Sequence, residues 1–100
     1  NKIAIAFYNF INDKLLNFLI EKEKNAEIAL AIEEVINNSI YYGKKTIIDW
    51  KKNKDLEKQI WNELDDYFYN ISLQLEKSIP FELLDGFIEE IIKIAKKQVD

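Results

Sequence analysis

Hydrophobic residues recur at helical spacing along most of this chain, a pattern that predicts an all-α fold. Within residues 3–20 the polar side chains fall on one narrow stripe, so the predicted first helix, residues 3–22, is apolar around most of its circumference. A helix of this kind either lies at the centre of a bundle or docks on a surface outside the domain. Three phenylalanines are therefore candidate partner-binding residues: Phe7, Phe10 and Phe18.

The second predicted helix covers residues 26–42. Its isoleucines and a valine fall on one face, and glutamates and asparagines fall on the other. Asn25 is placed to cap its first turn, because a short polar side chain can accept hydrogen bonds from free backbone N–H groups. Gly43 is placed to end it, because glycine adopts the left-handed conformation at little cost.

Two more helices complete the predicted bundle, at residues 55–76 and 80–98. In the third, apolar residues step by three or four without interruption, and Asn53 or Asp55 can cap its start. In the fourth, Gly86 costs about 1 kcal/mol relative to alanine, which is tolerated if a neighbour packs closely against it. The pattern as a whole predicts a small, mainly antiparallel four-helix bundle that occupies residues 1–100 as a single domain.

Composition supports a helical domain without its own chemistry. Two glycines and one proline are too few for the many turns of a β-sandwich, while 48% hydrophobic residues can form a core. Cysteine and histidine are absent, and all fourteen cationic residues are lysines. Thiol and imidazole catalysis are therefore excluded, and so are the usual zinc sites. Carboxylates on successive residues of a helix point about 100° apart, so such pairs do not converge on a metal ion or form an acid-base pair. We expect no catalytic residue, no metal and no cofactor.

The cellular setting is predicted from the most apolar window. Residues 3–20 contain too many polar side chains to cross a bilayer, and no signal peptide is visible, so we expect a cytoplasmic location and no membrane contact. The chain begins at Asn1 and contains no methionine. This favours a fragment from the C-terminal part of a longer polypeptide, although a cleaved expression tag would leave the same start.

The segment between the second and third helices allows two interpretations. Residues 43–58 hold six lysines and three acidic residues, a local charge of +3 in a chain of net charge −4. In the first interpretation, Trp50 fills the gap between the helices with Ile47 and Ile48, Asp49 accepts hydrogen bonds from free backbone donors, and the lysines remain in water. In the alternative, Trp50 stacks on a base and lysines contact nucleic-acid phosphates: Lys44, Lys45, Lys51, Lys52 and Lys54.

Three stretches of the chain resemble one protein family. They are IALAIEEVI at 28–36, the pair Asp49-Trp50 followed by Asn53, Asp55, Leu56 and Ile60, and IPFELLDGFIEEIIKIAKK at 79–97. Their order and spacing resemble the C-terminal helical region of the restriction (R) subunit of type I restriction-modification enzymes. Lys51 and Lys52 depart from the family, in which many members carry an arginine-containing or acidic pair.

The resemblance implies a domain that acts through contacts. In that family the nuclease and the ATP-hydrolysing motor domains lie N-terminal to this region, and the parent subunit is an ATP-dependent, site-specific deoxyribonuclease. The C-terminal helices are thought to anchor the R subunit to the methyltransferase. The resemblance therefore implies three partners, namely the methylation subunit, the specificity subunit and the rest of the R subunit, with only an indirect link to DNA.

Overall fold

Four α-helices form the framework of the part of the chain that the computed structural model describes, residues 2–14, 22–75 and 81–99. They are α1 (Lys2–Lys14), α2 (Lys22–Ile40), α3 (Lys54–Leu75) and α4 (Phe81–Gln98). Each helix packs against two others in the order α1, α2, α3, α4 and back to α1. The predicted all-α bundle is confirmed. The rest of the predicted first helix, residues 15–21, lies outside the described residues.

Contacts between side chains show that neighbouring helices run antiparallel. Asn12 near the end of α1 binds Asn25 near the start of α2, and Glu57 in the first turn of α3 binds Lys96 in the last turn of α4. The same arrangement brings the end of α1 to the start of α4. The mainly antiparallel packing predicted from the hydrophobic pattern is therefore confirmed.

The core lies along the axis of the bundle and is built from one apolar face of each helix. Aliphatic side chains at helical spacing are buried on α2, α3 and α4, as their periodicity predicts. The largest fully buried side chains are Phe7, Ile11, Ile28, Ile32, Ile36, Ile40, Ile60, Leu64, Phe68, Ile88 and Ile91. This shared core holds α1 and α2 in fixed positions, which matters for the surface between them.

The start of α2 differs from its prediction. The helix begins at Lys22, so Asn25 lies inside it and is fully buried rather than capping the first turn. The Asn25 side chain donates Nδ2–H to the Oδ1 oxygen of Asn12 at 2.7 Å. A polar pair within an apolar helix interface favours one register, because any sliding would leave the buried Nδ2–H donor of Asn25 without its acceptor.

The end of α2 also differs. The helix ends at Ile40, two residues before the predicted boundary, and a short antiparallel hairpin follows, with Tyr41–Tyr42 paired to Lys45–Thr46. Tyrosine and threonine favour extended backbone. Gly43 has the expected positive φ, +68°, but it lies at the first central position of a two-residue hairpin turn, the pattern of a type II′ turn, instead of ending a helix.

An ion pair joins the start of α3 to the end of α4. The Glu57 carboxylate accepts a hydrogen bond from the Lys96 ammonium, and both side chains are about two-thirds buried. This hydrogen bond lowers the pKa of Glu57 below its ordinary value, with smaller attractions to the charges of Lys96 and Lys54 acting in the same direction and burial acting against them. The pair favours the antiparallel alignment of the two helices.

Replacing Gly86 with alanine is expected to stabilise the protein by about 1 kcal/mol. Gly86 lies inside α4 and is exposed, and a β-carbon added there meets no atom of another described part of the chain within 4 Å. The close packing expected at this position is therefore not found. Glycine there only increases the backbone conformational entropy that is lost when the helix forms. Urea unfolding of Gly86→Ala measures the effect. An unchanged or lower midpoint would show that the backbone there needs glycine.

Candidate functional site

The three phenylalanines expected at a partner surface have different positions. Phe7 is fully buried in the core, so in this fold it does not lie on a surface that a partner could contact. Phe10 is half-buried and packs edge-on against Phe87 of α4, with ring centroids 5.9 Å apart. Both therefore hold α1 in the bundle. Phe18 lies outside the described residues.

An apolar groove does lie on the outer side of α1, where that helix meets α2. Its volume is about 280 Å³, and we call it the α1–α2 groove; it is lined by Ala4, Ile5, Tyr8, Ala26, Ala29 and Leu30. Ile5 remains 59% exposed and Leu30 57% exposed. Apolar side chains that form a continuous concave surface are typical of contact sites for proteins or ligands.

The sequence forms this groove through residue size. Alanines on both helices leave a shallow floor, and Ile5 and Leu30 form the walls. The isoleucine pattern that predicts the buried face of α2 does not single out Leu30. Its signal was nevertheless present, since Leu30 lies on the polar side of α2, three and four residues before Glu33 and Glu34. A leucine among glutamates on an exposed face indicates a contact surface.

Acidic residues border the groove on α2. Glu33 lies one helical turn beyond Ala29, on the same side of the helix. Its Oε2 atom is buried and has no hydrogen-bond partner among the described residues. Glu27 and Glu34 are exposed on the flank next to Leu30, and Glu27 forms a surface salt bridge with Lys24 at 3.2 Å.

Trp50 lies in the core at the end of the bundle. It starts a 3₁₀ turn, Trp50–Lys52, and is only 5% exposed. The turn leads directly into α3, where the Asn53 side chain caps the helix by accepting a hydrogen bond from the Leu56 N–H at 3.0 Å. This is the position that the first interpretation of the connector requires, and it leaves the indole no face for a nucleic-acid base.

Two neighbours of Trp50 differ from expectation. Asp49 makes no side-chain hydrogen bond to the 3₁₀ turn; its backbone instead adopts the left-handed conformation, with φ 56° and ψ 30°, which aspartate tolerates better than most residues. Ile48 is 88% exposed, so it does not help Trp50 to fill the gap, whereas Ile47 packs partly against the core. A hydrogen bond from the Trp50 N–H to the Ile47 carbonyl, 3.1 Å, closes a turn with Ile48 and Asp49 at its two central positions, which places the Ile48 side chain at the tip of the turn.

The lysines of the alternative interpretation lie in the hairpin, in the 3₁₀ turn and at the start of α3. All five are exposed, and none forms a salt bridge with a carboxylate in the described part of the chain: Lys44, Lys45, Lys51, Lys52 and Lys54. Lys51 places its ammonium 5.9 Å from the centre of the Trp50 ring. Both tyrosines of the hairpin are exposed, Tyr41 at 38% and Tyr42 at 86%, and Tyr42 lies directly across the hairpin from Lys45.

Residues 2–14, 22–75 and 81–99 contain no cluster of three acidic side chains that could hold a metal ion. Burial raises the pKa of Tyr67 to about 12, with a smaller contribution from the negative charge of Glu27, so this phenol stays protonated near neutral pH. None of the described helices combines the length and apolar character needed to cross a membrane.

Comparison with known proteins finds no matching family model, no matching curated protein and no matching solved structure.

Proposed function

We propose that this chain is a non-catalytic helical interaction domain. It docks the DNA translocase and endonuclease subunit of a type I restriction enzyme onto the methyltransferase, which consists of methylation and specificity subunits. The domain works in the cytoplasm and touches DNA only through its partners. The observation that carries the proposal is the α1–α2 groove, whose walls expose more than half of both Ile5 and Leu30.

The groove favours docking for an energetic reason. Complete burial of an isoleucine or leucine side chain stabilises a protein or complex by about 1.5–3 kcal/mol. Since Ile5 and Leu30 are each more than half exposed, a partner that covers both can gain a substantial part of that free energy. The groove walls are already held in position by the core, so little order has to be created on binding.

The resemblance to the R subunit points to the same surface. The stretch at 28–36 that resembles the family lies in α2 and includes the groove residues Ala29 and Leu30. A test follows directly. Mixed with its cognate methyltransferase, this chain should co-migrate with it in size-exclusion chromatography. Separate elution at micromolar concentrations of both would contradict the proposal.

The alternative function is contact with nucleic acid through the basic hairpin. It is favoured by the five exposed lysines and by the exposed ring of Tyr42 beside Lys45. Tyr42 then takes the stacking role that the sequence analysis gave to Trp50, because Trp50 is buried. An exposed aromatic ring among lysines is the usual arrangement for single-stranded nucleic acid.

A salt series separates the two functions. Docking through an apolar groove should weaken less than about fivefold when salt rises from about 50 to 200 mM, because at most one or two charge pairs are screened. Binding of a single-stranded oligonucleotide through five lysines should weaken about 100-fold over the same range. Fluorescence anisotropy measures both. Steep salt dependence together with loss of binding in Tyr42→Ala would favour the alternative.

A further inference from the structure

The shape of the α1–α2 groove fits one side of a helix. The groove runs between two antiparallel helices, with alanines on its floor and Ile5 and Leu30 as its walls. A third helix lies naturally along such a surface, because its side chains at i, i+3 or i+4 and i+7 project into the space between the other two. The apolar lining requires apolar anchors from that helix.

The charges beside the groove define what must flank those anchors. Asn12 pairs with Asn25, so the antiparallel register places Ala4 of α1 across from Glu33 of α2. Glu33 therefore lies at the end of the groove away from the asparagine pair. Glu33 is only partly buried, and neither a hydrogen bond to its Oε2 atom nor a salt bridge from a lysine neutralises its carboxylate among the described residues. Glu34 adds negative charge along the flank, whereas Glu27 is already paired with Lys24.

We propose that the α1–α2 groove accepts an amphipathic helix that carries a lysine or arginine one turn from its apolar anchors, and that this cation pairs with Glu33. The inference rests on the proposed docking function and adds the chemistry of the partner to it. The apolar contacts supply the affinity. The cation sets the direction and register of the bound helix, because only one orientation brings it to Glu33.

Two designed helical peptides of about 18 residues test this inference, each with the same leucine face. One carries lysine next to its anchors, and the other carries glutamine there. The complete 100-residue chain should bind the lysine peptide about five- to tenfold more tightly at low salt. Glu33→Gln should remove this preference. Glu89→Gln, an equal change of charge at an exposed position on α4, should leave it intact.

Three results would overturn the inference: equal affinity for the two peptides, an equal loss of preference in Glu33→Gln and Glu89→Gln, or no binding of either peptide. In the unsubstituted chain the preference should also shrink as salt is raised, a readout that does not depend on the folding of a variant. Co-migration with the methyltransferase is measured separately. A complex that forms while the peptides show no preference would reject the basic helix and leave the docking function standing.

Discussion

Replacing Trp50 with alanine is expected to lower the free energy of unfolding by about 3–5 kcal/mol, because a large buried ring is lost and the surrounding side chains close the gap only in part. Trp50 is 5% exposed and belongs to the same hydrophobic core as Ile40, Leu56 and Ile60. It also anchors the 3₁₀ turn that leads into α3. Losing the ring therefore weakens both the end of the core and the entry to a helix.

Urea unfolding monitored by circular dichroism measures this effect. Tyr42→Ala is the matched control, because it also removes an aromatic ring from the connector but at a side chain that is 86% exposed. The control should change stability by less than about 0.5 kcal/mol. Trp50→Phe should cost less than Trp50→Ala, since the buried indole Nε1 has no hydrogen-bond partner in the described part of the chain. Coincident curves for Trp50→Ala and the unsubstituted protein would contradict the buried position.

Replacing Leu30 with aspartate is expected to weaken methyltransferase binding at least about 100-fold, because a charge would then be buried without a partner in an apolar interface. Leu30 forms one wall of the α1–α2 groove and lies beside Glu34, so the added carboxylate also increases negative charge there. The fold should survive. Leu30 is 57% exposed, and stability should therefore fall by only about 1 kcal/mol.

Leu73→Asp is the matched control for Leu30→Asp. Leu73 is a leucine of similar exposure, 62%, on α3, a helix that does not line the groove. The control protein should bind the methyltransferase as the unsubstituted chain does. Equal weakening by the two substitutions would show that general surface charge, rather than the groove, governs the interaction.

The four helices could be predicted from the sequence because they depend on the spacing of residues that are close together in the chain. Apolar residues at three- and four-residue spacing in α3, and the scarcity of glycine and proline, both predict helices without knowledge of distant contacts. The hairpin after α2 was missed for the opposite reason. Its two strands have two residues each, too short for any periodic signal, and Gly43 allows either a helix end or a tight turn.

The candidate site was only partly predictable. The apolar circumference of the first helix indicates a contact surface on α1, but composition does not show which of its side chains the other helices cover. The bundle buries Phe7 and leaves Ile5, two residues earlier, on the outside. The other wall of the groove comes from α2, and only the packing of the two helices brings Leu30 opposite Ile5. In the same way, packing at the end of the bundle buries Trp50 and exposes Tyr42.

Site-specific photo-crosslinking is the most direct test of whether the α1–α2 groove docks the methyltransferase. A photoreactive phenylalanine analogue placed at position 30 should form a covalent adduct with the methylation or specificity subunit, and the same analogue at position 73 should not. Adducts from position 73 or from the basic hairpin, with none from position 30, would contradict the account.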